Sequence, residues 1–452
     1  MHWRFAYLIR CWPLSVCFYF SPSPFGCKKV LPRLDSPGRM HPFLRQALMP
    51  RSDLQFNVTP HFVHRIFHTE NAFLPKNHTL ERALRGDDQT SGEPLRVCVY
   101  LDEGLLAARP NLALEVSRKI ELIQAAGDPI ELVAEPMLVP GGEQAKNDWS
   151  VVETIWQQLA ALPLSRHSRV LVIGGGAVLD VVGFAVATAH RGMRLVRMPT
   201  TTLSQGDSGV GVKCGVNRFG QKNWAGAFSV PWAVVNDFAF LASQPERERR
   251  AGLAEALKVA LVRDRQFYVY LRQNAGALNA LEPEAVQHAV AESARIHAEH
   301  IAQGGDPFEQ GEGRPLDFGH WAAHKLEQLS EFRLSHGEAV AIGMLIDLHY
   351  AHCVGLLSSE NLSGILTVAR EMGLLGPLAS PDVQRELNAA ATDDHAPLLE
   401  GFEEFRLHLG GQLCLCMVTE PGVNRDINVV DHEALQRALQ ETLALAEYAA
   451  LA

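Results

Sequence analysis

The sequence predicts two joined folds: an α/β, Rossmann-like nucleotide-binding domain over residues 51–245 and a mainly α-helical domain over residues 246–452. Three observations carry that prediction. Apolar runs of strand length alternate with helix-spaced segments in the first half, the pattern of a parallel sheet covered by helices. Three consecutive glycines, Gly174-Gly175-Gly176, directly follow one such strand and precede a helical pattern. Beyond Pro245 the spacing is helical almost throughout and rich in Ala and Leu.

Taken in order, Leu95 to Tyr100 is rich in β-formers and reads as a strand, followed by a helix-compatible run through Ile123. A second strand-like piece, Ile130 to Leu138, leads into the turn Pro140-Gly141-Gly142. Helical spacing resumes from Asp148 to Leu162, with Trp149, Val152, Ile155, Trp156 and Leu159 on one side. Arg169 to Gly174 is a continuous apolar run of the kind buried in a parallel sheet, and Ala177 to Ala189 has helical composition. Arg194 to Pro199 makes another strand, ending in Thr200-Thr201-Thr202.

Composition narrows the class of function. The chain has 452 residues, more than one core usually serves, and 47% of them are hydrophobic against 20% charged, which is globular and not disordered. A net charge of -10 supplies no basic field for a nucleic-acid backbone, so small molecules are the expected partners. The eight cysteines form neither a disulfide framework nor a CxxC ribbon, and no segment reaches the ~18 apolar residues of a membrane span, which together point to a cytoplasmic protein. Residues 1–50 resemble a poor targeting peptide, acid-free up to residue 34. We read them as an extension outside the fold, since Met40 could itself begin the protein.

Glycines at a strand-to-helix turn let backbone amides approach a pyrophosphate, although tight turns need glycine for steric reasons too. Their spacing is not GxGxxG. The residues that follow make the pattern specific: Asp180, Arg191-Gly192, Pro199-Thr200-Thr201, Asp207-Ser208, Lys213, Gly215-Val216-Asn217, Lys222-Asn223, Glu255, Lys258, Phe318-Gly319-His320 and His336-Gly337-Glu338. In this order and at these intervals, the stretch from Leu95 to Gly343 resembles the 3-dehydroquinate synthase family of sugar phosphate cyclases.

That resemblance implies an NAD site at Glu143, Lys146, Gly174, Gly175, Gly176, Asp180, Thr200, Thr201, Asp207, Lys213 and Lys222. It implies a divalent metal, zinc or cobalt, on Glu255, His320 and His336. One carboxylate and two imidazoles suit a catalytic ion that keeps positions open. Lys213, Lys222, Asn223, Lys258, His324, Asp317 and Arg191 fall at the catalytic positions, with His324 near the leaving phosphate and Arg191 where relatives reach a neighbouring subunit, which implies a homodimer. The implied reaction oxidises a ring hydroxyl with NAD, expels phosphate, reduces the ketone again, and closes the carbocycle by an intramolecular aldol step. Glu255 and Lys258 are three apart, and His320 and His324 four apart, so each pair shares a helix face. Ser335 to Glu338 reads as a capping box that places His336 in a helix's first turn.

The departures from the family pattern concern the substrate. Asp317 stands where dehydroquinate synthases carry asparagine, and Gly313 and His297 stand where they carry an arginine and a lysine that anchor the substrate carboxylate. Arg314 is one place from the missing arginine, and no lysine follows Lys325. We therefore expect a seven-carbon sugar phosphate without that carboxylate, such as sedoheptulose 7-phosphate. The stretch Leu316 to Glu327 is similar to a dehydroquinate-synthase-like branch found in ebo-type gene clusters. The rival readings are a true 3-dehydroquinate synthase and a metal-dependent alcohol or glycerol dehydrogenase.

Overall fold

The computed structural model describes residues 54–87, 93–309, 311 and 313–446, so the expected extension over 1–50 lies outside the described residues. Residues 54–60 are without regular structure; from His61 the chain forms one compact unit.

Seven strands of the first half form a parallel sheet: β1 (Ile66–Thr69), β2 (Leu95–Asp102), β3 (Ile130–Leu132), β4 (Met137–Val139), β5 (Arg169–Gly174), β6 (Arg194–Pro199) and β9 (Ala233–Asp237). The order β1-β9-β6-β5-β2-β3, with β4 also on β2, reverses direction between β5 and β2. Alternate residues feed two cores: Cys98, Tyr100, Val170 and Val172 on one face, Val97, Val99, Leu101, Leu171 and Ile173 on the other. Helices α1 (Leu112–Ala125), α2 (Trp149–Ala161) and α3 (Gly176–Thr188) cover it. The segment expected as one strand from Ile130 to Leu138 is two, interrupted at Val133–Pro136, where proline offers no amide to the ladder.

Between β6 and β9 an antiparallel hairpin, β7 (Lys213–Arg218) and β8 (Gln221–Phe228), stands apart from the sheet. After Pro245 the chain is helical as expected, apart from a second hairpin, β10 (Leu415–Glu420) and β11 (Val423–Ile427). The helices that matter below are α4 (Leu253–Arg263), α5 (Pro283–Gln303), α6 (His320–Leu329) and α7 (His336–Cys353). Helix α7 is mostly apolar and buried along nearly its whole length, so it forms the axis of the helical core. No helix among the described residues is long and apolar enough to cross a membrane.

Candidate active site

Strand β5 is buried throughout and ends at Gly174; Gly175 is extended, and Gly176 opens α3. A side chain on Gly174 or Gly176 would force a neighbour to move. A Cβ on Gly174 would lie 2.9 Å from the Cβ of Asp102, and one on Gly176 would lie 2.9 Å from Ser208 Oγ. The turn thus sits at the reversal of strand order, where first-turn amides can meet an anion. Asp102, the last residue of β2, accepts from the amides of Gly175 at 3.3 Å and Gly104 at 2.9 Å, and burial pushes its carboxyl up. Sequence reasoning missed it, because Asp102 meets the glycine turn only through the pairing of β2 with β5.

Several of the residues expected to bind NAD lie around this turn. Lys146 Nζ donates to Asp180 at 2.7 Å and also reaches Asn223 Oδ1, while Glu143 accepts from Asn217 at 2.8 Å. Burial favours a neutral Lys146, but Asp180 and Glu143 outweigh it and raise the ammonium's pKa. The Thr200 amide donates to the Gly174 carbonyl at 3.1 Å, and its buried hydroxyl has no partner. The Thr201 hydroxyl caps the following turn by accepting from the Ser204 amide at 3.1 Å.

The metal positions lie on three helices. Glu255 and Lys258 share a face of α4; His320, His324 and Glu327 follow at i, i+4 and i+7 along α6. His336 is the first residue of α7, where the Glu338 carboxylate returns to accept from the Ser335 amide at 3.0 Å. His320, His324 and His336 each offer a nitrogen within 4.8 Å of the others. Glu255 is not in that tightest group; it joins through His336, whose Nε2 is 3.7 Å from Glu255 Oε1. The structure thus groups His320 and His336 with His324, the residue expected at the phosphate, and places Glu255 beside His336.

The donors suit a divalent ion. Glu255 is fully buried with its carboxylate against the Lys258 ammonium, yet neither oxygen has a hydrogen bond of good geometry. Burial raises its pKa against the pull of Lys258. Burial, with Lys258 nearby, pushes His320 down to about 3, so the ring is the neutral imidazole that metal ligation requires. His320 Nδ1 lies 3.2 Å from the Phe318 carbonyl and His336 Nδ1 lies 3.0 Å from Glu327 Oε2, which frees both Nε2 atoms.

Asp207 and Asp317 line the remaining side. Asp207 lies 2.8 Å from His297 Nδ1 on α5; burial would raise its carboxyl, but Lys258 and His297 hold it well below the usual range. Asp317 is likewise held low by Lys213, His320 and Arg314 against the effect of burial. Lys213 pairs with Glu309, and Arg314 Nη1 is 3.5 Å from the same carboxylate. Lys222 on β8 binds Glu327 at 2.7 Å. The buried Arg197 donates to the carbonyls of Gly211 at 2.7 Å and Lys213 at 2.9 Å, fixing the loop that carries Lys213; sequence reading had passed over it as a strand residue. Arg191 is the exception among the expected residues, exposed beyond the far end of α3 from the glycine turn.

Residues 136–251 match the 3-dehydroquinate synthase N-terminal family and residues 252–396 its C-terminal counterpart, together more than half of the chain. A curated 3-dehydroquinate synthase of Halorhodospira halophila (strain DSM 244 / SL1) is 36% identical over 76% of this chain and 93% of its own length. The fold matches that of a 2-epi-5-epi-valiolone synthase from Streptomyces hygroscopicus subsp. jinggangensis 5008, solved with NAD+ and Zn2+ bound, at a TM-score of 0.72 and 24% identity, covering 86% of this chain and 99% of that one. A 2-deoxy-scyllo-inosose synthase, solved with carbaglucose-6-phosphate, NAD+ and Co2+, gives a TM-score of 0.64 at 21% identity over 83% and 96% of the two chains. A parallel sheet with its glycine turn at the switch point, joined to a helical half, is the fold this chain shares with both of these enzymes. The chain belongs to the 3-dehydroquinate synthase family.

Proposed function

We propose that the protein binds NAD on its sheet half, residues 51–245, and zinc or cobalt on Glu255, His320 and His336 of its helical half, and cyclises a seven-carbon sugar phosphate lacking the carboxylate of the shikimate substrate. Sedoheptulose 7-phosphate fits, giving a valiolone-type cyclitol. The observation that carries this reading is the charge at the substrate end. His297 and Gly313 replace two cations, and the nearest cations left, Lys213 and Arg314, share Glu309 beside the ionised Asp317. A carboxylate brought there would be desolvated without a free partner, which is costly.

When bound, NAD supplies reversible hydride transfer and the divalent ion polarises hydroxyl and carbonyl oxygens. The chain's own residues do the rest. Lys222 and His324 face the phosphate, Lys258 and Asp207 orient the ring hydroxyls beside Glu255, and the buried walls exclude water. Glu327, the carboxylate beside Lys222, is engaged by Lys222 and His336, which fits elimination in which the departing phosphate takes the proton itself. Arg191, exposed and remote, serves the site of a second copy in a cytosolic homodimer. The 36% identity to a 3-dehydroquinate synthase favours the shikimate reaction as the second reading. Side-by-side assays decide: purified protein with zinc or cobalt should release inorganic phosphate from sedoheptulose 7-phosphate without lasting NADH absorbance. Efficient turnover of the carboxylated heptulosonate phosphate would overturn the substrate, and stoichiometric NADH from simple alcohols would overturn the class.

A further inference from the structure

The Glu327 side chain is 5% exposed, and its two oxygens serve two partners from different parts of the chain. Lys222 Nζ, from hairpin β7–β8, sits 2.7 Å from Oε1 and 2.9 Å from Oε2; His336 Nδ1, from the start of α7, sits 3.0 Å from Oε2. We propose that Glu327 is a positioning residue that ties the metal centre to the phosphate-facing hairpin, an inference that rests on the function proposed above.

As an acceptor at Nδ1, the carboxylate selects the tautomer of His336 that carries its proton there, leaving the Nε2 lone pair aimed at the Glu255 side of the site, 3.7 Å from Oε1. The enclosed carboxylate forms an ion pair with the Lys222 ammonium of the hairpin. A buried charge of this kind needs its cation, so Lys222 is held on it and the hairpin is anchored to α6. A neutral amide cannot do both jobs, because its single oxygen serves one partner while its NH2 meets the other donor.

The test measures zinc affinity by competition with a chromogenic chelator, using the full chain without substrate. Outer carboxylates of this kind are worth roughly 10–100-fold in metal affinity, and Glu327→Gln should lose about that much. It should do so with an unchanged circular dichroism spectrum, and the KM for the sugar phosphate should rise as Lys222 loses its anchor. Glu327→Asp, which keeps the charge on a shorter arm, should bind zinc more tightly than Glu327→Gln and less tightly than the natural protein. Natural-strength zinc binding by Glu327→Gln overturns the inference. Where that variant does not fold, natural-strength binding by Glu327→Asp overturns it instead. Failure of the unaltered protein to take up zinc would sink the functional reading and this inference together, whereas equal uptake by it and Glu327→Gln sinks this inference alone.

Discussion

Asp347, buried on α7, accepts from Trp321 Nε1 at 2.8 Å and from the Gly319 amide at 2.9 Å, so it holds an indole ring on one side of His320 and the backbone on the other. Burial pushes its carboxyl up to about 7 against these two bonds. Because the folded pKa lies above the unfolded value, the folded state binds the proton more tightly; the associated stability is full below about pH 4 and is lost as pH rises through about 7. Asp347→Asn removes that titration. Denaturant melts of the two proteins should show the stability difference moving in the variant's favour by a few kcal/mol from pH 4 to 7; a pH-independent gap would rule the assignment out. Lys258 has a comparable part at the next helix. Its ammonium, raised by Glu255 and Asp207 against the cost of burial, neutralises two enclosed carboxylates. Lys258→Met should cost about 3–5 kcal/mol in metal-free protein, by analogy with other broken buried pairs, and less once zinc is present. Equal losses with and without zinc would contradict this.

Helices α6 and α7 meet backbone to backbone. Gly319 has φ +79, and a Cβ on Gly343 would collide with the Gly319 carbonyl. This close approach brings His320 to His336, with ring centroids 5.5 Å apart. Gly343→Ala should therefore cost about 3 kcal/mol or more and weaken zinc binding along with stability; a variant that melts normally and binds zinc normally would refute the contact's role. What could be read in the sequence followed from spacing along single elements. Strands β5 and β6 fell where their apolar runs lie, α3 began at the glycine turn, and Glu255 with Lys258 and His320 with His324 shared helix faces. What could not be read depends on pairing between elements. Lys222 and Glu327 are 105 positions apart, and neither residue's neighbours encode the other. Asp102 became significant only once β2 lay beside β5, and His324 joined His320 and His336 only once α7 packed on α6. The hairpin β10–β11 escaped notice because two short strands within a helical half leave little periodic signal.

On the scale of the whole molecule, the proposed ligands come from α4, α6 and α7, so an ion seated among them would add a further link between helices that are joined by packing and by the bonds of Asp347 and Glu327. An ion that binds only the folded state at 100 times its dissociation constant adds about 2.7 kcal/mol. Zinc should accordingly raise the apparent Tm by a few degrees, chelator should reverse the rise, and the Glu255→Ala variant should show neither; an unchanged Tm in the natural protein would argue against an ion at this position. The enclosure of Glu255 bears also on how fast that ion comes and goes. The carboxylate is sealed from solvent with the Lys258 ammonium standing against it, while His336 is 24% exposed, so we expect an ion's final step onto and off Glu255 to wait for the surrounding helices to part. A loaded enzyme diluted into scavenger should thus fade at a pace set by its own breathing, the same whether the scavenger is scarce or abundant, and a pace that climbs in proportion to scavenger would reveal an open door.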